Sequence, residues 1–186
     1  MSDMYVLRGE RVLQALNEVS TYDDLYNNIQ KGFPETKKRQ HATNEVTISK
    51  LTYSPVRITN EGGALRLSSI TRSNQHEYKQ QVLLSDVSFV TDGSGVSFVA
   101  TDGQTYNVQP IRLNRSRLRV NCTCLDFHYR FASWNFNDDS LLGKKPPLYQ
   151  RKTDNRPPVN PARVPGLCKH LVKVFDKLYS SGMLTD

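Results

Sequence analysis

The spacing of hydrophobic residues changes twice along the chain and sets apart an N-terminal stretch, residues 1–44. Apolar residues within 12–16 recur at the helical interval and predict a short amphipathic helix. A second helix is predicted to begin at Ser20 or Thr21, with acidic residues in its first turn, and to end near Gly32. We therefore expect this stretch to form a partly helical arm.

Residues 45–115 follow the two-residue period of β-strands. Apolar and polar side chains alternate in several short runs, although the first run, from Val46 to Tyr53, alternates imperfectly. Turn sequences separate the runs, namely Glu61-Gly62-Gly63, Asp92-Gly93-Ser94-Gly95 and Asp102-Gly103. Short strands at regular spacing predict an antiparallel β-sandwich or small barrel core.

Residues 116–186 combine both periods, so the fold class predicted for the chain is α+β. Segment 116–124 alternates strictly and places four side chains on one strand face: Leu118, Val120, Cys122 and Cys124. Four apolar residues later recur at helical spacing before Gly182: Leu171, Val174, Phe175 and Leu178. This stretch is predicted to form a strand, a long loop and a helix.

The long loop has an aromatic half and a proline-rich half. In the aromatic half, Phe127, Tyr129 and Phe131 are predicted to share one strand face, either as a stacking platform for bases or as a hydrophobic lid over neighbouring residues. The lid is the favoured alternative. The second half, 141–165, is rich in proline and basic residues and is predicted to be extended.

Composition places the chain among loop-rich globular proteins. Of its 186 residues, 37% are hydrophobic and 23% charged, with nine prolines and ten glycines. No apolar run approaches the length of a membrane span, and the first residues lack the hydrophobic region of a signal peptide. We expect a soluble protein made in a reducing compartment, without membrane contact.

Positive charge is concentrated in one part of the sequence. The net charge is +7, but residues 112–173 alone carry +9 and the remainder carries −2. Such an excess favours contact with nucleic acid or with an acidic protein face. The candidate contact residues are Arg117, Arg119, Arg130, Lys144, Lys145, Arg151, Lys152, Arg156 and Arg163.

The three cysteines form one pattern that ends in a histidine: Cys122, Cys124, Cys168 and His170. Three thiolates and one imidazole complete a tetrahedral zinc site, with no position left for a substrate. A strand would present the first pair, and a helix start would present the second. A disulfide is disfavoured because it would leave one thiol unpaired. Three ordinary buried cysteines, or His128 as the fourth ligand, are the remaining alternatives.

The surroundings of this pattern suggest support for the metal and no catalysis. Asp126 is a candidate acceptor for the N–H of His170 that faces away from the metal, although it could equally cap a turn. The sequence lacks a phosphate-binding glycine loop, a Gly-x-Ser-x-Gly elbow and a His-Glu-x-x-His motif. We therefore expect a protein that is not an enzyme.

The order Cys-x-Cys…Cys-x-His resembles the SWIM-type zinc finger, whose four motif positions are zinc ligands. Members of that family are associated with DNA binding or protein contact. Roughly residues 45–184 also resemble proteins of tailed bacteriophages, many of them virion components, through Val120–Phe127 and Pro165–Leu171. The resemblance implies a virion protein, made in the host cytoplasm, that contacts other virion or assembly proteins. The alternative is a nucleic-acid-binding protein that uses the basic zinc module over 116–186.

Overall fold

A computed structural model describes residues 20–32, 42–59, 62–147 and 158–185. The fold is α+β with mostly antiparallel sheets, as the hydrophobic pattern predicts. The described helices are α1 (Tyr22–Gly32), α2 (Leu125–Arg130), α3 (Ala132–Asn137) and α4 (Lys169–Ser180). The described strands are β1 (Thr47–Thr59), β2 (Gly62–Ser73), β3 (His76–Val87), β4 (Phe89–Val90), β5 (Val96–Val99), β6 (Thr105–Val108), β7 (Ile111–Arg112), β8 (Leu118–Cys122) and β9 (Leu184–Thr185). The helix predicted within residues 12–16 lies outside these ranges.

The largest sheet is antiparallel and has the strand order β1-β2-β3-β8. One face, the inner face, is covered by α4, which contacts β1, β3 and β8. The imperfect alternation near the start of β1 is caused by a β-bulge between Ile48 and Lys50, which restores Leu51 and Tyr53 to the inner face. Along β2 and β8, and along β3 as far as Leu84, the buried positions alternate regularly.

A smaller three-stranded sheet follows β3 in the sequence. The turn predicted at Asp102-Gly103 is confirmed, and it joins β5 to β6 as a hairpin. The turn at 92–95 is not a hairpin turn, because β4 and β5 both pair with β6 and not with each other. Two parallel residue pairs then join β7 to β9 near the C terminus. Within the described ranges the sheets do not form a closed barrel.

Helix α1 packs into the same core as the sheets. Thr21 and Asp24 form a capping box, in which the Thr21 N–H donates to the Asp24 carboxylate at 2.9 Å. Leu25 and Ile29 are fully buried, and Tyr22 contacts the ring of Phe175 on α4 at a centroid distance of 4.5 Å. The described part of the predicted arm is therefore docked on α4.

We call the long loop the insert. Its aromatic half is helical, so the prediction of a strand there was wrong. Residues 125–137 form α2 and α3. Phe127 and Phe131 are buried because they are four residues apart and share a helix face, whereas Tyr129 lies on the exposed side. Residues four apart share one face both in a strand and in a helix, so the spacing of the buried aromatic residues fits either period.

None of the helices in the part of the chain that the structure describes has the length and apolar character needed to cross a lipid bilayer.

Candidate metal centre

The four predicted ligands come together at the junction of one strand and two helix starts. Cys122 ends β8, and Cys124 is the N-cap of α2. Cys168 is the N-cap of α4, and His170 lies in the first turn of that helix. One ligand atom from each residue lies within 4.8 Å of the others, so the group could bind a single metal ion.

This spacing suits tetrahedral zinc. Ligand sulfur atoms about 2.3 Å from a zinc ion would lie about 3.8 Å apart, which is compatible with ligand atoms that all lie within 4.8 Å of one another. All three cysteines are free thiols, and no disulfide forms among them. The centre is consistent with a structural zinc site.

Local packing fixes the approach of the second ligand pair. A Cβ atom at Gly166 would lie 2.6 Å from the ring of Phe131, so only glycine fits at this position. The Gly166 N–H also donates to the side-chain oxygen of Asn135 at 2.9 Å. The two short helices of the insert thereby hold the segment that leads into Cys168.

The four ligand side chains are almost completely buried. The exposed fractions are 3% for Cys122 and Cys124, 0% for Cys168 and 4% for His170. Buried polar groups without partners are costly, so a site of this kind requires either hydrogen bonds or a metal.

Two N–H groups donate to sulfur atoms of the cluster. The side-chain amide of Gln80 lies 3.6 Å from the sulfur of Cys122, and the backbone N–H of Phe127 lies 3.3 Å from the sulfur of Cys124. Donors directed at sulfur stabilise the thiolate form, which is the form that binds metal.

His170 provides the most direct test of whether a metal fits. Both of its ring nitrogens are buried, and neither has a hydrogen-bond partner among the described residues. A ring nitrogen that lies beside three sulfur atoms is satisfied by coordination to a metal ion. The donor set therefore fits a metal, and these four residues would hold it.

The thiol pKa values show how the protein alone, without a metal, affects the ionisation of its cysteines. Hydrogen bonds from Cys124 and then Cys168 lower the pKa of Cys122 to about 4. Burial raises the pKa of Cys168 well above its ordinary value, and its hydrogen bonds to the other two sulfurs act in the same direction. The protein thus favours the thiolate of Cys122, and a divalent cation would supply the charge needed to ionise the buried Cys168.

The predicted partner of His170 is not observed. The Asp126 carboxylate pairs with Arg130 at 3.1 Å, one helical turn away, and does not hydrogen-bond to the imidazole. The histidine ring instead packs against Tyr78 in a tilted arrangement, at a centroid distance of 4.4 Å. Both rings line a cavity of about 430 Å³, which is polar and large enough to hold water beside the imidazole.

The rival ligand, His128, is not part of the cluster. Its side chain is exposed on α2 and contacts the edge of Tyr129. His128 lies on the exposed surface of α2, whereas the neighbouring Phe127 is buried in the core, and His128 is not among the residues whose ligand atoms come together.

The predicted contact residues fall into separate groups. Arg119 pairs with Asp139, and Arg130 pairs with Asp126. Exposed and spread over the surface are Arg117, Lys144, Lys145 and Arg163. Outside the described residues lie Arg151, Lys152 and Arg156.

Gln80 is the site residue that sequence reasoning missed. It occupies a buried position on β3 between Tyr78 and Val82, and the two N–H bonds of its amide are shared between the Cys122 sulfur, the Thr71 hydroxyl and the Tyr78 carbonyl. The sequence feature that could have identified it is a polar residue on the apolar face of an alternating strand.

Comparison of the chain with protein-family models, with curated proteins and with solved structures gives no match.

Proposed function

We propose that the protein is a zinc-stabilised structural or adaptor protein without enzymatic activity, and that it is a bacteriophage virion component of the capsid, neck or tail. Zinc binds Cys122, Cys124, Cys168 and His170 and fixes a surface that contacts neighbouring subunits. The bacteriophage setting is supported by the sequence resemblance, and the structural role is supported by the site itself.

The closed donor set favours a structural role over a catalytic one. Four protein ligands complete the coordination of zinc, which leaves no position for a substrate or an activated water. The ligands also connect the end of β8 to the starts of α2 and α4. Metal binding in such a place contributes directly to the free energy of folding.

The observation that supports an adaptor role is a set of exposed apolar side chains on the two short helices that follow the ligand Cys124. Helix α2 begins directly after the ligand Cys124, and its Leu125 and Tyr129 are 67% and 44% exposed, one turn apart. Phe136 on α3 is 41% exposed. We call these three residues the α2–α3 surface. Large exposed apolar groups on a rigid element are typical of protein contact sites.

Particle composition tests the proposal. Density-gradient-purified particles of the phage that encodes the chain should contain the protein at a fixed ratio to the major capsid protein, as measured by quantitative mass spectrometry. Absence of the protein from the particles would contradict a virion role.

Substitutions test the surface. Leu125→Ser should reduce incorporation strongly while the zinc content of the purified protein stays unchanged. Val99→Ser is the matched control, because Val99 is 65% exposed but lies on β5. Equal incorporation of both variants would show that the α2–α3 surface is not the contact.

Nucleic-acid binding by the basic zinc module is the alternative. Lys144 and Lys145 favour it, since both are exposed. The ion pairs of Arg119 and Arg130 reduce the charge available to phosphate. This alternative predicts a steep loss of DNA affinity with salt when these lysines are intact.

A further inference from the structure

The face of the large sheet opposite α4 carries an ordered arrangement of positive charge. The strands alternate, so side chains next to the buried ones point to this outer face. Strand register groups twelve residues into three rows: Lys50, Ile70, Lys79 and Thr123; Thr52, Ser68, Gln81 and Asn121; and Ser54, Arg66, Leu83 and Arg119. Each outer row contains two cations, and the middle row contains only hydroxyl and amide groups.

The cations occupy alternate strands. In the first row they lie on β1 and β3, and in the third row on β2 and β8. Residues two strands apart are separated by about 10 Å, and rows four residues apart by about 13 Å. The positive charges therefore form a staggered lattice across the face, with polar groups between them.

Most of this charge is not neutralised. Arg119 pairs with Asp139, but Lys50, Arg66 and Lys79 form no ion pair with any residue of the described ranges. Just beyond the first row, Arg72 pairs with Glu77. No acidic residue occurs within the three rows.

Part of the surface forms a groove. A groove of about 400 Å³ is lined by the first two rows, including Lys50, Lys79, Gln81 and Asn121. Ile70 and Leu83, the apolar members of the rows, are half-buried and do not protrude.

We infer that this outer face binds the phosphate backbone of duplex nucleic acid without reading its sequence. Staggered cations with hydroxyl and amide groups between them match a polymer whose charges repeat along two strands, and such contacts carry affinity but no base specificity. The three rows contain no aromatic ring on which unpaired bases could stack, so a single strand would gain less. They also lack a protruding apolar group that could insert into a lipid surface.

The inference concerns the outer sheet face, which includes only Arg119, Asn121 and Thr123 of the basic zinc module, and it does not rest on the proposed function. Of the nine contact residues predicted from the sequence, Arg119 alone belongs to the three rows. The other cations of the lattice cannot be recognised in the sequence, because they are far apart along the chain and only strand pairing brings them together.

Fluorescence anisotropy of a labelled duplex of mixed sequence tests the inference, using the full zinc-loaded chain at about 50 and 200 mM salt. The variant Lys50→Glu/Lys79→Glu removes the first row of cations. Lys144→Glu/Lys145→Glu is the matched control, because it changes the net charge equally within the zinc module. Both pairs are exposed, and measured zinc content and thermal unfolding will confirm that the variants are folded.

We expect the first variant to weaken duplex binding at least tenfold and to reduce the slope of log affinity against log salt by about two, one for each lost phosphate contact. The control should change affinity less than threefold. No binding by the wild-type protein at the lower salt, or an equal loss in both variants, would overturn the inference. Tighter binding to a single strand, to polyglutamate or to phosphatidylserine vesicles than to the duplex would likewise overturn it.

Discussion

The inner face of the large sheet has an apolar half and a polar half, and the two are stabilised in different ways. In one half, cross-strand rows contain only apolar side chains, with Leu65, Leu84 and Leu118 in the first row. In the other half the rows contain polar side chains. Ser69 pairs with Gln80 on the next strand, and Gln80 pairs in turn with Cys122. Both halves are buried under the same helix, α4.

The difference shows how a core can include polar groups. The apolar half is stabilised by removal of hydrocarbon from water, at roughly 25 cal/mol per Å². The polar half gains little from that effect, and the buried oxygens of Ser69, Ser73 and Gln80 lack partners among the described residues. Each such group costs about 1–3 kcal/mol. A metal bound by four ligands would offset that cost and would fix the helix start at the same time.

Loss of a ligand should have the largest effect. Cys168→Ser is expected to release zinc and to destabilise the fold by several kcal/mol, because the metal contributes folding free energy. Denaturant unfolding and elemental analysis would measure both quantities. A variant that keeps its full zinc content and its unfolding midpoint would show that the polar half does not depend on metal.

An apolar substitution sharpens the comparison. Leu67 is buried in the second row of the apolar half, and Leu67→Ala should lower the free energy of unfolding by about 2–5 kcal/mol through lost burial and the cavity left behind. Zinc content should remain at the wild-type value under native conditions. Stoichiometric loss of zinc from this variant would mean that the two halves are not separable.

Removal of the amide that donates to Cys122 should have a smaller effect, confined to the polar half. Gln80→Leu keeps the approximate shape but removes the donor, so zinc affinity should fall about 10–100-fold in competition with a chelating dye. Gln81→Leu is the control on the same strand, because its side chain lies on the outer face. Equal affinities for the two variants would show that the amide does not support the thiolate.

The smallest effect is expected at Asp126. Its contact with Arg130 is a partly exposed pair within one helix, so Asp126→Asn should cost less than about 1 kcal/mol. Zinc affinity should be unchanged, since the carboxylate does not hydrogen-bond to His170. A tenfold loss of zinc affinity would instead restore the role that the sequence predicted for this residue.

The sequence predicted those parts of the molecule that depend on strong local patterns. The helices at 22–32 and 169–180, the strand 118–122 and the ligand group could all be predicted, because periodicity, caps and the cysteine count agree there. The aromatic half of the insert was wrongly predicted to be a strand, because its spacing suits both a strand and a helix and only the packing distinguishes them. The outer cation lattice could not be predicted, since it depends on the register of four strands.

X-ray absorption at the zinc K-edge of the purified protein tests the central claim most directly. The account predicts one zinc ion per chain, with three sulfur ligands at about 2.3 Å and one nitrogen ligand at about 2.0–2.1 Å. A shell made mainly of oxygen, or a protein that folds without bound zinc, would contradict it.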